Sequence, residues 1–341
     1  MRLVDYARRS IRAVKPIIID CDPGHDDAAA LLLALASDEV QLLGVTTVAG
    51  NQTLPKTTAN AIRVLDCAGR ADVPVAAGAN RPLVRELHVA ADIHGETGLE
   101  GSELPPPSRA ADETHAVDWM AATLESAPSP VTLIPTGPLT NIALLFARYP
   151  GIEERIERIV LMGGSIGEGN VTPAAEFNIW ADPEAAHRVF ATEVDLTMVG
   201  LDVTHQALLT PDHLEVLEVA GAPGKLVADL YGFFLSIHGD RYGWVGAPVH
   251  DAVAVAHVID GSLLHTTRCG VSIDTGGELS RGRTNVDVRR QTGRLPLHHV
   301  AVDIEAERFL SLLVERISAL GQAPASPHVF QSPRPPASAP G

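Results

Sequence analysis

Cysteine is scarce in this chain: Cys21, Cys67 and Cys269 are the only three among 341 residues. They are odd in number and widely spaced. They match neither a zinc motif nor a disulfide framework, which fits a reducing cytoplasm. No apolar run reaches the roughly 18–20 residues that span a bilayer, so no membrane segment is expected. The basic stretch Met1–Lys15 is not followed by a long apolar segment or a small-residue cleavage site, so no secretory leader is expected either. Positive charge is short: 26 Lys and Arg stand against 42 Asp and Glu, a formal charge of −16. A nucleic acid duplex would be repelled over most of such a surface. Small neutral or cationic ligands and divalent metals remain. No internal repeat is visible. With 45% hydrophobic and 20% charged residues the composition is globular.

One long domain, residues 16–322, is expected between two extensions. Residues 1–15 carry five Arg and Lys and little periodicity. Residues 323–341 carry six prolines among Ala and Ser, the composition of a disordered tail. Between them β-rich runs alternate with helical patterns. Ile17–Asp20, Val40–Val48, Val131–Ile134, Arg158–Met162 and Leu196–Leu201 read as strands. Asp26–Ser37, Lys56–Cys67 and a segment from Leu139 read as helices. The alternation predicts an α/β fold, an open and mostly parallel sheet with helices on both faces. Ligands of such sheets sit at the carboxyl ends of the strands, and the unusual residues of this chain cluster just after its strands.

The segment Asp20-Cys21-Asp22-Pro23-Gly24-His25-Asp26-Asp27 sets four carboxylates within eight residues, between an apolar strand and a helix. One or two can cap the helix N-terminus and meet its dipole. Four close anions call for a cation. Oxygen donors suit Ca²⁺ or Mg²⁺, whereas zinc also wants His or Cys. An EF-hand loop is excluded, because its sixth and twelfth positions would hold His25 and Leu31. His25 is expected to face the helix surface.

Five further motifs follow in the chain: Val48-Ala49-Gly50-Asn51, His94-Gly95-Glu96-Thr97-Gly98-Leu99, Pro135-Thr136-Gly137-Pro138-Leu139-Thr140-Asn141, a stretch from Met162-Gly163-Gly164 through Gly169-Asn170 to Glu176-Phe177-Asn178, and Pro248-Val249-His250-Asp251. Together with residues 20–27 they resemble, in order, the inosine–uridine nucleoside hydrolase family over roughly residues 16–320. The resemblance implies the nucleoside hydrolase fold with its Rossmann-like core, and hydrolysis of the N-glycosidic bond of ribonucleosides. It implies Ca²⁺ held by Asp22, Asp27, Asp251 and the backbone carbonyl of Thr136. Asp26, Asn51 and Asn178 would meet the ribose 2′- and 3′-hydroxyls, and Glu176 and Asn170 the 5′-hydroxyl, with Met162 nearby. Asp22 would act as general base toward water, and an acidic pocket would favour an oxocarbenium-like transition state. His250 matches the family's candidate proton donor to the leaving base. His238 and Tyr242 in Phe233–Trp244, and His94 on a flap hinged at Gly95 and Gly98, would face the nucleobase.

Some readings stay open. His238 stands where purine-tolerant members tend to carry Tyr and pyrimidine-preferring members Gln, so base preference is undecided. So is the leaving-group acid: His250, His238 or none. Asn170 also reads as a turn residue, Met162 as a core residue and Asp251 as a helix N-cap. One of Phe233 and Phe234 is expected in the core. The resemblance further implies a homodimer or homotetramer acting on a small-molecule ribonucleoside, and the cysteine usage places it in the cytoplasm. Two rivals are a calcium-dependent nucleoside- or ribose-binding protein without turnover, and a phosphatase of the haloacid dehalogenase type using Asp20 as nucleophile and Asp22 as acid.

Overall fold

The computed structural model describes residues 14–243 and 245–322. The basic extension, except its last two residues, and the proline-rich tail lie outside them. The strands are β1 (Lys15–Cys21), β2 (Val40–Thr47), β3 (Val75–Ala77), β4 (Val131–Pro135), β5 (Ile156–Met162), β6 (Leu196–Val199), β7 (Leu208–Leu209), β8 (Ala247–Pro248), β9 (Leu264–Cys269), β10 (Val271–Ile273), β11 (Thr284–Val286) and β12 (His298–Ile304). The helices of the first half are α1 (His25–Leu35), α2 (Leu54–Cys67), α3 (Ala91–His94), α4 (Ala116–Ser126) and α5 (Thr140–Arg148). Then come α6 (Phe177–Ala181), α7 (Pro183–Val189), α8 (Leu201–Thr204), α9 (Pro211–Glu218), α10 (Gly221–Tyr242), α11 (Asp251–Ile259) and α12 (Ala306–Gln322). Every strand and helix expected from periodicity is present, with ends shifted by a few residues.

The main sheet has the order β3-β2-β1-β4-β5-β6-β12-β9. All its pairings are parallel except β12 with β9. Burial on both faces explains why β1 reads Ile-Ile-Ile without alternation. Ile17, Ile19 and Cys21 join the core on one face, and Ile18 joins the core on the other. The order reverses between β1 and β4, whose register runs from Ile17 opposite Thr132 to Asp20 opposite Pro135. A crevice opens at such a switch point, beyond the carboxyl ends of the two strands. The loops after β1 and β4 are therefore neighbours, although more than a hundred residues separate them.

Two helices behind this crevice are apolar nearly all round. From Asp27 to Ala34 every residue of α1 is buried, and so is every residue of α11. A helix without a polar face has to be covered on all sides. Packing α1 against α11 meets that need and brings their first turns together, with Asp26 and Asp27 on one and Asp251 on the other. The first-turn N–H groups and dipole of each helix favour negative charge there.

Candidate active site

Asp22, Asp27 and Asp251 are 0%, 0% and 4% exposed. Asp27 and Asp251 lie close enough that each perturbs the other's carboxyl. Asp27 Oδ2 accepts the Gly24 N–H at 2.9 Å, and its Oδ1 accepts the Thr136 hydroxyl at 2.8 Å. Asp22 Oδ2 accepts the Asn51 N–H at 2.6 Å, while its Oδ1 is buried without a hydrogen-bond partner. Asp251 does not cap its helix; the cap position is His250, with no side-chain cap bond. Burial pushes the Asp27 carboxyl up to about 6. Burial first, and then repulsion from Asp27, raise Asp22 and Asp251 well above the usual carboxylate range.

Asp20 lies one layer below. Its Oδ1 accepts the Thr46 hydroxyl at 2.6 Å and the Asn141 amide at 2.8 Å. Asn141 also binds the Thr47 carbonyl and the Ala79 N–H, so Asp20 locks β1, β2 and α5 together. Two glycines close over Asp22. A Cβ at Gly50 would meet its Oδ2 at 2.1 Å, and one at Gly137 would meet its Oδ1 at 2.6 Å.

The far wall comes from the ends of β4 and β5. The Asn178 amide donates to the carbonyls of Thr136 at 2.8 Å and Met162 at 3.2 Å. Met162 is 4% exposed, the core position its strand-end reading allowed. Glu176 is buried and caps α6, accepting the N–H groups of Asn178, Ile179 and Gly164. Burial outweighs these donors and lifts its carboxyl to about 7. Asn170 is exposed on the loop before α6, where Oδ1 accepts the Phe177 N–H at 2.9 Å, a turn-closing role.

Asn51 donates to Asp27 at 3.4 Å. Asp26 is partly buried, and its Oδ1 accepts the Tyr231 hydroxyl at 3.0 Å. The segment 94–101 folds over α1 and α2. Gln52 binds the Gly95 carbonyl, Asn60 the Thr97 carbonyl and Lys56 the Glu96 carbonyl. Gly95 and Gly98 have φ of +74° and +84°, a region costly for residues with a Cβ. His94 is buried at the end of α3, close enough for a Cβ on Gly24 to meet its Nδ1 at 2.8 Å.

His25 does not face the helix surface, contrary to expectation. It is 1% exposed, its ring edge-on to His94 and Phe233, and its Nε2 is 3.0 Å from the Glu100 carbonyl. Because α1 is enclosed on all sides, its first residue is covered by the 94–101 segment and α10. Phe234, not Phe233, packs against the core, and both are half-buried. His250 Nδ1 pairs with the Thr204 hydroxyl at 2.7 Å, and the ring of His205 stands edge-on to it. Burial depresses His250 to about 4. The backbone of residues 238 and 242 belongs to α10, but the side chains of His238 and Tyr242 lie outside the described residues.

The motifs thus converge for Asp22, Asp26, Asp27, Asn51, His94, Thr136, Met162, Glu176, Asn178 and Asp251, while Asn170 stays on an exposed turn. Sequence reasoning missed Thr204 and Tyr231, which lie outside all six motifs and find their partners 46 and 205 residues away. The glycines at 50 and 137 were legible as motif members but not as walls. A surface hollow of about 430 Å³ beside Arg85, Trp180 and Leu279 holds none of these carboxylates.

The oxygen donors fit a hard dication. They are carboxylates with Thr136 against Asp27, and one buried Asp22 oxygen has no hydrogen-bond partner. Among the described residues no group of three or more His, Cys, Asp or Glu side chains is arranged to hold a metal ion by itself. The Thr136 carbonyl, water and ligand oxygens would have to complete the ligand sphere. No helix among the described residues is long and apolar enough to cross a membrane.

Residues 17–311 match the family described as inosine-uridine preferring nucleoside hydrolase. The chain is 50% identical over 306 residues to the pyrimidine-specific ribonucleoside hydrolase RihA of Shewanella sp. (strain ANA-3), covering 89% of this chain and 96% of that one. It is 48% identical over 308 residues to the protein of the same description from Salmonella arizonae, covering 90% and 99%. Among solved structures, a purine-preferring ribonucleoside hydrolase from Gardnerella vaginalis superposes with a TM-score of 0.85 at 35% identity, covering 90% and 99%.

Proposed function

Since the chain belongs to the inosine-uridine preferring nucleoside hydrolase family and is an N-glycosyl hydrolase, we propose that it hydrolyses pyrimidine ribonucleosides to ribose and free base, in a calcium-dependent manner. The observation that carries this reading is the buried cluster of Asp22, Asp27 and Asp251 at the β1/β4 switch point, with Thr136 donating its hydroxyl to Asp27. Pyrimidine preference rests on the relatives at about half identity, both described as pyrimidine-specific.

Asp22, Asp27, Asp251 and the Thr136 carbonyl would hold the calcium ion. When bound, calcium polarises water and the sugar's vicinal hydroxyls as a Lewis acid. Asp22 takes the proton of the attacking water; its Oδ1 has no competing hydrogen bond. Asp26 and Asn51 orient the 2′- and 3′-hydroxyls, with the Asn178 amide beside them. Glu176 receives the 5′-hydroxyl, and Asn170 joins it if its turn folds inward. As the bond from C1′ to the base nitrogen breaks, these carboxylates stabilise positive charge on the ribose. His250, its ring fixed by Thr204 but held neutral by burial, and His238 are the two candidate proton donors to the departing base, and the third alternative is departure without a side-chain acid. His94 borders the base, the role the family resemblance also gives Tyr242, and the 94–101 segment keeps water from the sugar edge. The reading includes a cytoplasmic homo-oligomer, with which three free thiols agree.

Initial rates with uridine, cytidine, inosine and adenosine test the proposal. Pyrimidine nucleosides should exceed purine nucleosides in kcat/KM by at least about tenfold, a ratio within reach of pocket contacts alone. Equal rates on all four would overturn the preference, and binding without release of base would overturn the activity.

A further inference from the structure

Tyr231 is one of the largest fully buried side chains, 1% exposed in the middle of α10. A buried phenol needs a partner for its hydroxyl. Here the partner is the Asp26 carboxylate on the second residue of α1. The contact is one-sided in a useful way. Asp26 is only partly buried, and Tyr231 engages one of its two oxygens, leaving the other for a ligand. Asp27, next in the chain, has both oxygens engaged by Gly24, Asn51 and Thr136. Asp26 has Tyr231 as its side-chain hydroxyl donor, and that donor comes from another helix.

From this geometry we infer that Tyr231 is a positioning residue that sets the rotamer of Asp26 and thereby the enzyme's selectivity for an intact ribose diol. The inference rests on Asp26 engaging that diol. A carboxylate held at one oxygen presents the other along a fixed direction, so a sugar hydroxyl meets an acceptor already aimed. Without the phenol hydroxyl, the carboxylate turns about χ1 and χ2 and must be ordered by the substrate itself. A rigid side chain lowers the entropy cost of binding. Sites built to pair with a hydroxyl reject analogues lacking it most strongly. The loss should therefore fall on substrates that carry the hydroxyl.

The test compares Tyr231→Phe, Asp26→Asn and the unaltered enzyme on uridine, 2′-deoxyuridine and 3′-deoxyuridine, each with a thermal melt. Phe keeps the ring in its pocket and removes the hydroxyl alone. Tyr231→Phe should lower kcat/KM for uridine by about tenfold, the scale of one hydrogen bond to a charged group. It should leave the weaker rate on at least one deoxynucleoside within about twofold. Discrimination for that hydroxyl then collapses in parallel with the melt-independent loss in Asp26→Asn. A merely structural tyrosine would slow all three substrates together, and that outcome overturns the inference. If Asp26→Asn loses discrimination while Tyr231→Phe keeps it, the inference falls and the diol reading stands. If Asp26→Asn keeps discrimination, the diol reading itself falls and takes the inference with it.

Discussion

Gly50→Ala puts the packing around Asp22 to a direct test. The Gly50 backbone lies outside the left-handed region, so alanine is acceptable there on conformational grounds. The obstacle is space. The new Cβ would sit 2.1 Å from Asp22 Oδ2, 2.9 Å from its Cγ and 2.8 Å from Pro138 Cδ. Non-bonded heavy atoms prefer separations near 3.5 Å, so the carboxylate must retreat by about 1 Å or more. The displaced oxygen is also the one that accepts the Asn51 N–H at 2.6 Å. Losing a hydrogen bond to a charged group costs about 1.5–3 kcal/mol. A 1 Å misplacement of a reacting group costs about 100-fold in rate. We therefore expect kcat/KM for uridine to fall at least about 100-fold, with a melting temperature lowered by several degrees. Gly276→Ala is the control, because a Cβ there meets nothing within 4 Å. A Gly50→Ala enzyme that is folded and within threefold of wild type would refute the reasoning (threefold being roughly 0.6 kcal/mol).

Chelation should destabilise the protein more at pH 8 than at pH 5. In the ion-free state the carboxyls of Asp27 and Glu176 have folded values near 6 and 7, above their unfolded ones. Their folded form binds more protons, so ion-free stability falls as pH rises through that window. A cation at 100 times its Kd would restore about 2.7 kcal/mol. Melts with and without chelator at both pH values check this, and a chelator effect independent of pH would refute it. His257 bears on acid stability in the opposite sense. It is 7% exposed on α11, and burial depresses it to about 4, with Arg158, His299 and Lys15 adding to the shift and Asp260 opposing it. Its folded value lies below its unfolded one, so its contribution is complete above about pH 6.5 and is lost as pH falls toward 4. Urea unfolding should show that His257→Asn removes about 2–3 kcal/mol of the stability change between those limits. An unchanged slope would mean the imidazole charges without cost.

Much of the site was legible before any coordinates because its chemistry is written locally. The carboxylates of residues 20–27 follow an apolar strand, and Thr136 ends another. Glu176 and Asn178 open a helix. In a parallel sheet every such strand end points to the same side. The α/β class followed from alternating short apolar runs and helical patterns. His25 was misjudged for a related reason: periodicity says which side of a helix a residue occupies, but not that a distant segment will cover that side.

The chain by itself therefore determined which residues stand at strand ends and helix starts, since those depend on neighbours a few positions away. Only the tertiary structure decided who meets whom across the crevice. The strand order sets β1 beside β4, and the mutual burial of α1 and α11 draws Asp251 to Asp27. Tyr231 reaches Asp26, and Thr204 reaches His250, through packing that leaves no trace in sequence spacing. Contacts between distant residues are fixed by how apolar surfaces are buried together, and that is a property of the whole fold.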